Sequence, residues 1–197
     1  MALSHPLFDM VLFMDYTHLI TSVKIDDIEY KINTDFRDIL EIFQILNDPD
    51  LLDVEKSIIA FENFYVDKPE NVEQGIKEMY NFMTMNNCED NSPSNKNEKP
   101  LFDWEQDFNL IIAPINRTLN FDVRSAEYLH WWTFLSAFME IGECTFNTYV
   151  GIRDKLNKNK KLEKYEKQIL KEHRKDIILK QKVDTTTQAL MDEILGV

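Results

Sequence analysis

The chain has 197 residues, of which 44% are hydrophobic and 29% charged, with 13 Phe, 7 Tyr and 3 Trp. That length and aromatic content can bury a core without disulfides or metals, and they exclude a disordered chain. A net charge of −13 opposes general nucleic-acid binding, because the phosphate backbone would be repelled.

Only four glycines occur, and neither GxGxxG nor GxxxxGK[ST] is present, which removes the two commonest phosphate-cradling loops. Cys88 and Cys144 stand far apart with no CxxC neighbour, a usage that suits a reducing compartment. The apolar run at residues 10–14, Met-Val-Leu-Phe-Met, has no basic flank and is too short for a signal peptide or a membrane span. The reading is a cytosolic protein with no membrane partner.

Residues 21–32 alternate, with Val23, Ile25, Ile28, Tyr30 and Ile32 apolar about Asp26-Asp27. This predicts a small β-hairpin, although neither Asp27 nor Ile28 is the Gly that a two-residue turn prefers. Thr34 or Asp35 can cap a helix whose stripe is Phe36, Ile39, Leu40, Phe43 and Leu46, stopped by Asn47-Asp48-Pro49. A second helix begins near Asp53 and aligns Val54, Ile58, Phe61 and Tyr65. A third, opened by Pro69 and Glu70, aligns Val72, Ile76, Met79 and Met83.

Residues 87–100 hold no large apolar side chain and cannot repay the entropy of ordering. They are expected to be a flexible linker between an N-terminal half, 1–86, and a C-terminal helical half, 101–182, with a tail segment at 183–197. Helical spacing resumes with Trp104, Phe108, Ile111 and Ile115, where Pro114 is expected to kink or end the helix.

The helix expected over about 125–141 is apolar on two sides. Tyr128, Trp131, Trp132, Leu135, Phe138 and Met139 form the wide face, read as core. His130, Phe134, Ala137 and Ile141 form a second stripe, read as solvent-facing and open to a partner. A shorter helix at 145–156 and a longer basic one at 160–182 follow, the latter aligning Leu162, Tyr165, Ile169 and Ile177. The tail ends in Leu190, Met191, Ile194 and Leu195, and Leu190 and Ile194 join the candidate partner contacts. The fold expected is mainly α: two helical halves, one small N-terminal β-hairpin and a flexible linker.

Charge is unevenly placed. Residues 151–182 hold 12 Lys and Arg against 5 Asp and Glu, whereas the remainder holds 10 against 30. An acidic body with a basic segment suggests self-association or a partner of mixed charge. No constellation for catalysis emerges. The histidines at 5, 18, 130 and 173 are scattered without HExxH or HxH, no GxSxG occurs, and Cys144 has no matching His and Asn. The acidic turn Asn47-Asp48-Pro49-Asp50 lacks the spacing and Gly of an EF-hand. No catalytic residue, metal or cofactor is assigned, and the chain is not expected to be an enzyme.

Two stretches carry a resemblance. Ile32-Asn33-Thr34-Asp35-Phe36-Arg37, followed by Asn47-Asp48-Pro49-Asp50-Leu51 and Glu55-Lys56, resembles the opening of a tailed-bacteriophage family named after a phage's fifteenth gene product. Phe102-Asp103-Trp104-Glu105-Gln106-Asp107, then Tyr128-Leu129-His130-Trp131-Trp132-Thr133-Phe134, resembles its second block, and Tyr149-Val150-Gly151-Ile152-Arg153 resembles its ending. The likeness runs from about residue 25 to 180. It implies a tail assembly chaperone encoded beside the tape-measure gene, acting in the host bacterial cytoplasm. The partner it implies is the tape-measure protein, with the tail-tube protein as a second candidate. The rival readings are a structural tail or connector protein of the virion and a nucleic-acid-binding regulator using the basic C-terminal helix.

Overall fold

The computed structural model describes residues 18–85 and 99–180. Among these are one antiparallel hairpin, β1 (Ser22–Ile25) and β2 (Ile28–Lys31), and eight α-helices. The helices are α1 (Phe36–Leu46), α2 (Asp53–Phe64), α3 (Val72–Met83), α4 (Trp104–Leu119), α5 (Trp131–Met139), α6 (Thr145–Asn157), α7 (Lys164–Glu172) and α8 (Arg174–Ile177). The chain is mainly helical with a small N-terminal hairpin, as its periodicity predicts. Nearly all of the expected linker, and the tail with Leu190 and Ile194, lie outside the described residues.

The hairpin pairs Val23 with Tyr30 and Ile25 with Ile28. Its two turn residues, Asp26 and Asp27, both have positive φ, 48° and 65°. That is the backbone of the turn whose twist matches paired strands, here made by aspartates in place of the usual Asn-Gly or Asp-Gly. Asn71 Nδ2 donates to Asp26 Oδ2 at 2.9 Å, which ties the turn to the start of α3. The exit of α2 widens the hairpin: Val66 N–H donates to the Lys31 carbonyl at 3.0 Å and Asn33 N–H to that of Phe64 at 2.8 Å.

Asp35 caps α1, its Oδ1 accepting from Arg37 N–H at 2.9 Å. Helix α2 meets the core only through its second half, Ala60, Phe61 and Phe64. The aligned stripe is therefore split: Val54 and Ile58 are 70% and 46% exposed, while Phe61 and Tyr65 are buried. Helix α3 approaches α2 at Gly75, where a Cβ would stand 2.5 Å from Phe61 Cε2. Tyr65 Oη donates to the Gly75 carbonyl at 2.9 Å across that contact. Only a residue without a side chain fits there.

Helix α4 does not end at Pro114 but continues to Leu119. A proline inside a helix costs about 3 kcal/mol through its missing N–H and its crowded ring. Ile111, Ile112 and Ile115, buried on either side of it, supply packing that offsets this cost. The basic helix expected over 160–182 is two short helices that break at His173, the C-cap of α7. The break lets Ile177 turn inward and bury fully.

Two interiors result. The larger takes Ile25, Phe36, Phe64 and Met79 from before residue 86 and Ile111, Trp131, Phe134 and Phe146 from after residue 98. Both sides of the expected linker thus share one core. The smaller joins Tyr149, Ile152, Leu162 and Ile177. Helix α6 serves both, placing Phe146 in the first and Ile152 in the second.

Candidate protein-binding surface

The second stripe of α5 is not a surface. His130, Phe134, Ala137 and Ile141 are 2%, 0%, 3% and 4% exposed, so the expected partner contact lies in the core of this fold. Of the face read as core, Trp131 is buried, at 1% exposure, whereas Trp132, Leu135 and Phe138 are half-buried and Tyr128 and Met139 are exposed. The cause is long-range. Residues 129–131 pair with 34–36 in extended fashion, Phe36 N–H donating to the Leu129 carbonyl at 2.9 Å and Trp131 N–H to that of Thr34 at 2.7 Å. Helix α5 therefore starts at Trp131, and Phe134 stacks on Phe36 with ring centroids 4.6 Å apart.

His130 is the N-cap of that helix. Its Nδ1 accepts from Trp132 N–H at 3.0 Å, so Nε2 carries the proton and donates to the Ile20 carbonyl at 2.8 Å. Burial holds its pKa below the ordinary histidine value, partly countered by the bond to Ile20. Because the unfolded chain takes up this proton first, the His130 contribution to stability is full above about pH 6.5 and lost as pH falls towards the lower folded value. The thermal midpoint of the protein should drop between pH 7.5 and 5, and His130→Asn, which keeps a capping oxygen, should flatten that slope. An unchanged slope in the variant would assign the pH dependence to other groups.

The motif blocks that resemble a phage family meet in space. Thr34 Oγ1 and Tyr128 Oη lie 2.7 Å apart, Asp35 Oδ2 accepts from Leu129 N–H at 2.9 Å, and Arg37 Nη2 donates to the Ala126 carbonyl at 2.5 Å. The 102–107 block meets the 149–153 block through an ion pair, Arg153 Nη1 to Asp107 Oδ2 at 2.7 Å and Nη2 to Oδ1 at 2.9 Å. These side chains are only 4% and 1% exposed. The blocks are thus the joints of the fold. Only the resemblance of residues 149–153 to the family's ending singles out Arg153 among the basic residues of its segment.

The exposed face those joints create is a cleft of about 560 Å³ between α1 and α4. Phe36, Leu40, Trp104 and Phe108 give it apolar walls, while Arg37, Glu41, Glu105 and Arg124 bring both signs of charge to it. Its arginines are held in place. Arg37 bonds both oxygens of Asp35 and lies over the Phe36 ring at 4.6 Å. Arg124 bonds Asp122, whose carboxyl is held down to about 2 chiefly by that side-chain bond. An apolar cleft with fixed charges at its edges can take the apolar face of an amphipathic helix and pair its polar flanks. Leu40 and Phe108 belong to stripes that the sequence assigns to core. The signal for a second role was the breadth of the α1 apolar face, which also includes Ile42 and Ile45.

Part of the basic segment faces its own chain. Lys155 Nζ pairs with Glu166 Oε1 at 2.6 Å, which holds that carboxyl below its usual range, and Lys158 pairs with Asp154. Among the described residues, no three His, Cys, Asp or Glu side chains converge so as to hold a metal ion. No helix among them is long and apolar enough to cross a membrane.

Comparison with known proteins gives one positive finding: the family model described as "Bacteriophage Gp15 protein" matches residues 16–179. No curated protein and no solved structure matches the chain. The matched span covers the hairpin, all eight helices and the three motif blocks that the interior bonds hold together. The chain therefore belongs to the bacteriophage Gp15 protein family and is a phage structural or assembly protein.

Proposed function

We propose that this protein is a non-catalytic tail assembly chaperone of the host bacterial cytoplasm, which binds the tape-measure protein and keeps it soluble while the tail tube forms. The observation that carries this reading is the α1–α4 cleft, apolar along its walls and charged with both signs. A long helical client has amphipathic segments of the matching kind, and the net charge of −13 favours solubility of the complex. The tail-tube protein is a second candidate partner. The site proposed is Leu40, Trp104 and Phe108 with Arg37 and Arg124, in place of the buried stripe of α5.

Co-expression with the tape-measure protein of the same phage should yield a soluble complex, where the tape measure alone aggregates. Leu40→Asp and Arg124→Glu should each weaken capture in a pull-down, with circular dichroism showing that both variants remain folded. A charge buried in an apolar trough is costly once the trough closes on a partner. Capture unaffected by both variants would move the contact off this cleft. Absence of wild-type capture, with both proteins folded, would overturn the chaperone reading, and stoichiometric presence in purified virions would favour a structural tail protein.

A further inference from the structure

Helix α7 has two unlike faces. Ile169 and Leu170 pack on the second interior, and Glu166 is buried beside them in its pair with Lys155. Lys164, Lys167 and Lys171, spaced three and four apart, form a ridge about 10 Å long on the other side, and all three are exposed. The ion pairs of this segment among the described residues are those of Arg153, Lys155, Lys158 and His173, so the ridge lysines are left over. Like charges at that spacing repel along a helix, a cost that an anionic partner removes. We propose that the ridge docks the acidic tip of a second copy of this chain, formed by the hairpin turn and the start of α3.

Charge complementarity selects that occupant. Residues 18–85 hold 15 Asp and Glu against 6 Lys and Arg, the converse of the basic segment. The bond from Asn71 Nδ2 to Asp26 Oδ2 holds the hairpin turn against the start of α3. It gathers Asp26, Asp27, Glu29, Glu70 and Glu73, all exposed. Nearby lysines are engaged locally, Lys24 with Asp27 and Lys68 with Glu62, which leaves Glu70 and Glu73 without an ion pair among the described residues. Ile28 and Val72, exposed in the same tip, give it an apolar contact to set against Tyr165, exposed on the flank of the ridge.

Tip and ridge are different surfaces built on different interiors, so the contact joins copies head to tail. The net charge of −13 opposes the approach of two copies at long range. At about 0.15 M salt that repulsion is screened beyond about 8 Å, whereas ion pairs in contact persist. Exposed ion pairs are individually weak, so the association is transient, with a dissociation constant on the order of 0.1–1 mM. The inference does not depend on the chaperone reading, because it uses none of the residues of the α1–α4 cleft.

The test is sedimentation equilibrium of the full chain. At about 0.15 M salt and about 0.5 mM chain, the weight-average mass should rise at least about 1.5-fold above that of one chain, and at about 1 M salt the rise should shrink. Lys164→Glu with Lys167→Glu and Lys171→Glu should abolish the rise, and so should Glu70→Lys with Glu73→Lys, each variant keeping the wild-type circular dichroism. An equimolar mixture of the two variants should restore it, because ridge and tip then carry exchanged signs while both chains stay net negative. A wild-type chain that stays monomeric, variants that associate like the wild type, or a mixture that stays monomeric would each overturn the proposal. A monomeric wild type that retards a DNA duplex in a shift assay, with the retardation lost in the lysine variant, would overturn it in favour of a phosphate backbone on the ridge.

Discussion

Arg153→Met should lower the unfolding free energy by about 3–5 kcal/mol, the cost of leaving a buried charge without its partner. All five guanidinium N–H groups are used. Nε donates to the Ile177 carbonyl, Nη1 to Asp107 Oδ2 and the Leu101 carbonyl, and Nη2 to Asp107 Oδ1 and the Asp176 carbonyl. Asp107 in turn accepts from Asp103 N–H at 3.0 Å, closing the first turn of α4. Removing the guanidinium leaves Asp107 with only the Asp103 N–H and takes the donor from the Leu101 and Ile177 carbonyls, while the Asp176 carbonyl keeps Gln106 Nε2 at 3.1 Å; each buried group left unpaired is penalised. Lysine cannot substitute, since an ammonium has three donors and no planar fork. Asp107→Leu combined with Arg153→Met should recover part of the loss, because no lone charge then remains, although the carbonyls stay unpaired. Urea melts of the single and double variants measure this. A loss under about 1 kcal/mol for Arg153→Met would mean that water reaches Asp107 and that the joint is not closed.

This joint explains why the second interior exists. The 12 basic residues of 151–182 read as a solvated helix face, and most are exposed. Arg153 is the exception: it bonds the Leu101 carbonyl ahead of α4, and its partners at Asp176 and Ile177 lie in α8, beyond the break that ends α7. The break at His173 brings Ile177 onto Ile152.

What the sequence made legible was local: the hairpin at Asp26-Asp27, the cap at Asp35, the stripes of α1 and α3, and the extent of α6. Each rests on residues within a few positions of one another. What it hid was long-range. Periodicity identified two apolar faces on α5, but two apolar faces do not say which one points inward. That choice was made by Phe36 and by the extended pairing of 129–131 with 34–36, nearly a hundred residues away. Its cap is also a histidine, outside the usual Ser, Thr, Asp and Asn set, so the helix start at Trp131 carried no ordinary signal. The candidate cleft was missed for a related reason. Leu40 and Phe108 look like core by spacing, and only the placing of α1 against α4 leaves them half open.

The orientation of α5 yields the second large effect. Trp131→Ala should cost about 3–5 kcal/mol, the range for truncating a fully buried large aromatic side chain. Trp131 lies among Phe43, Trp104 and Phe134, with ring centroids 5.8, 5.9 and 5.8 Å away, and its Nε1–H donates to the Met83 carbonyl at 2.9 Å. Truncation empties a closed site and strands that carbonyl at the end of α3. Its neighbour Trp132 makes the parallel bond, Nε1–H to the Phe82 carbonyl at 2.8 Å, and stacks on Phe82 at 5.5 Å. Yet Trp132 is only half-buried and borders an open groove of about 430 Å³ beside the end of α4, so water can enter the space it leaves, and the Phe82 carbonyl also accepts from Met85 N–H at 3.1 Å. Trp132→Ala should therefore cost distinctly less, and both variants can be ranked by urea midpoint at constant slope. The reverse ranking would mean that α5 is rotated by about one residue, 100°, which would turn His130 and Phe134 outward and return the stripe to the surface.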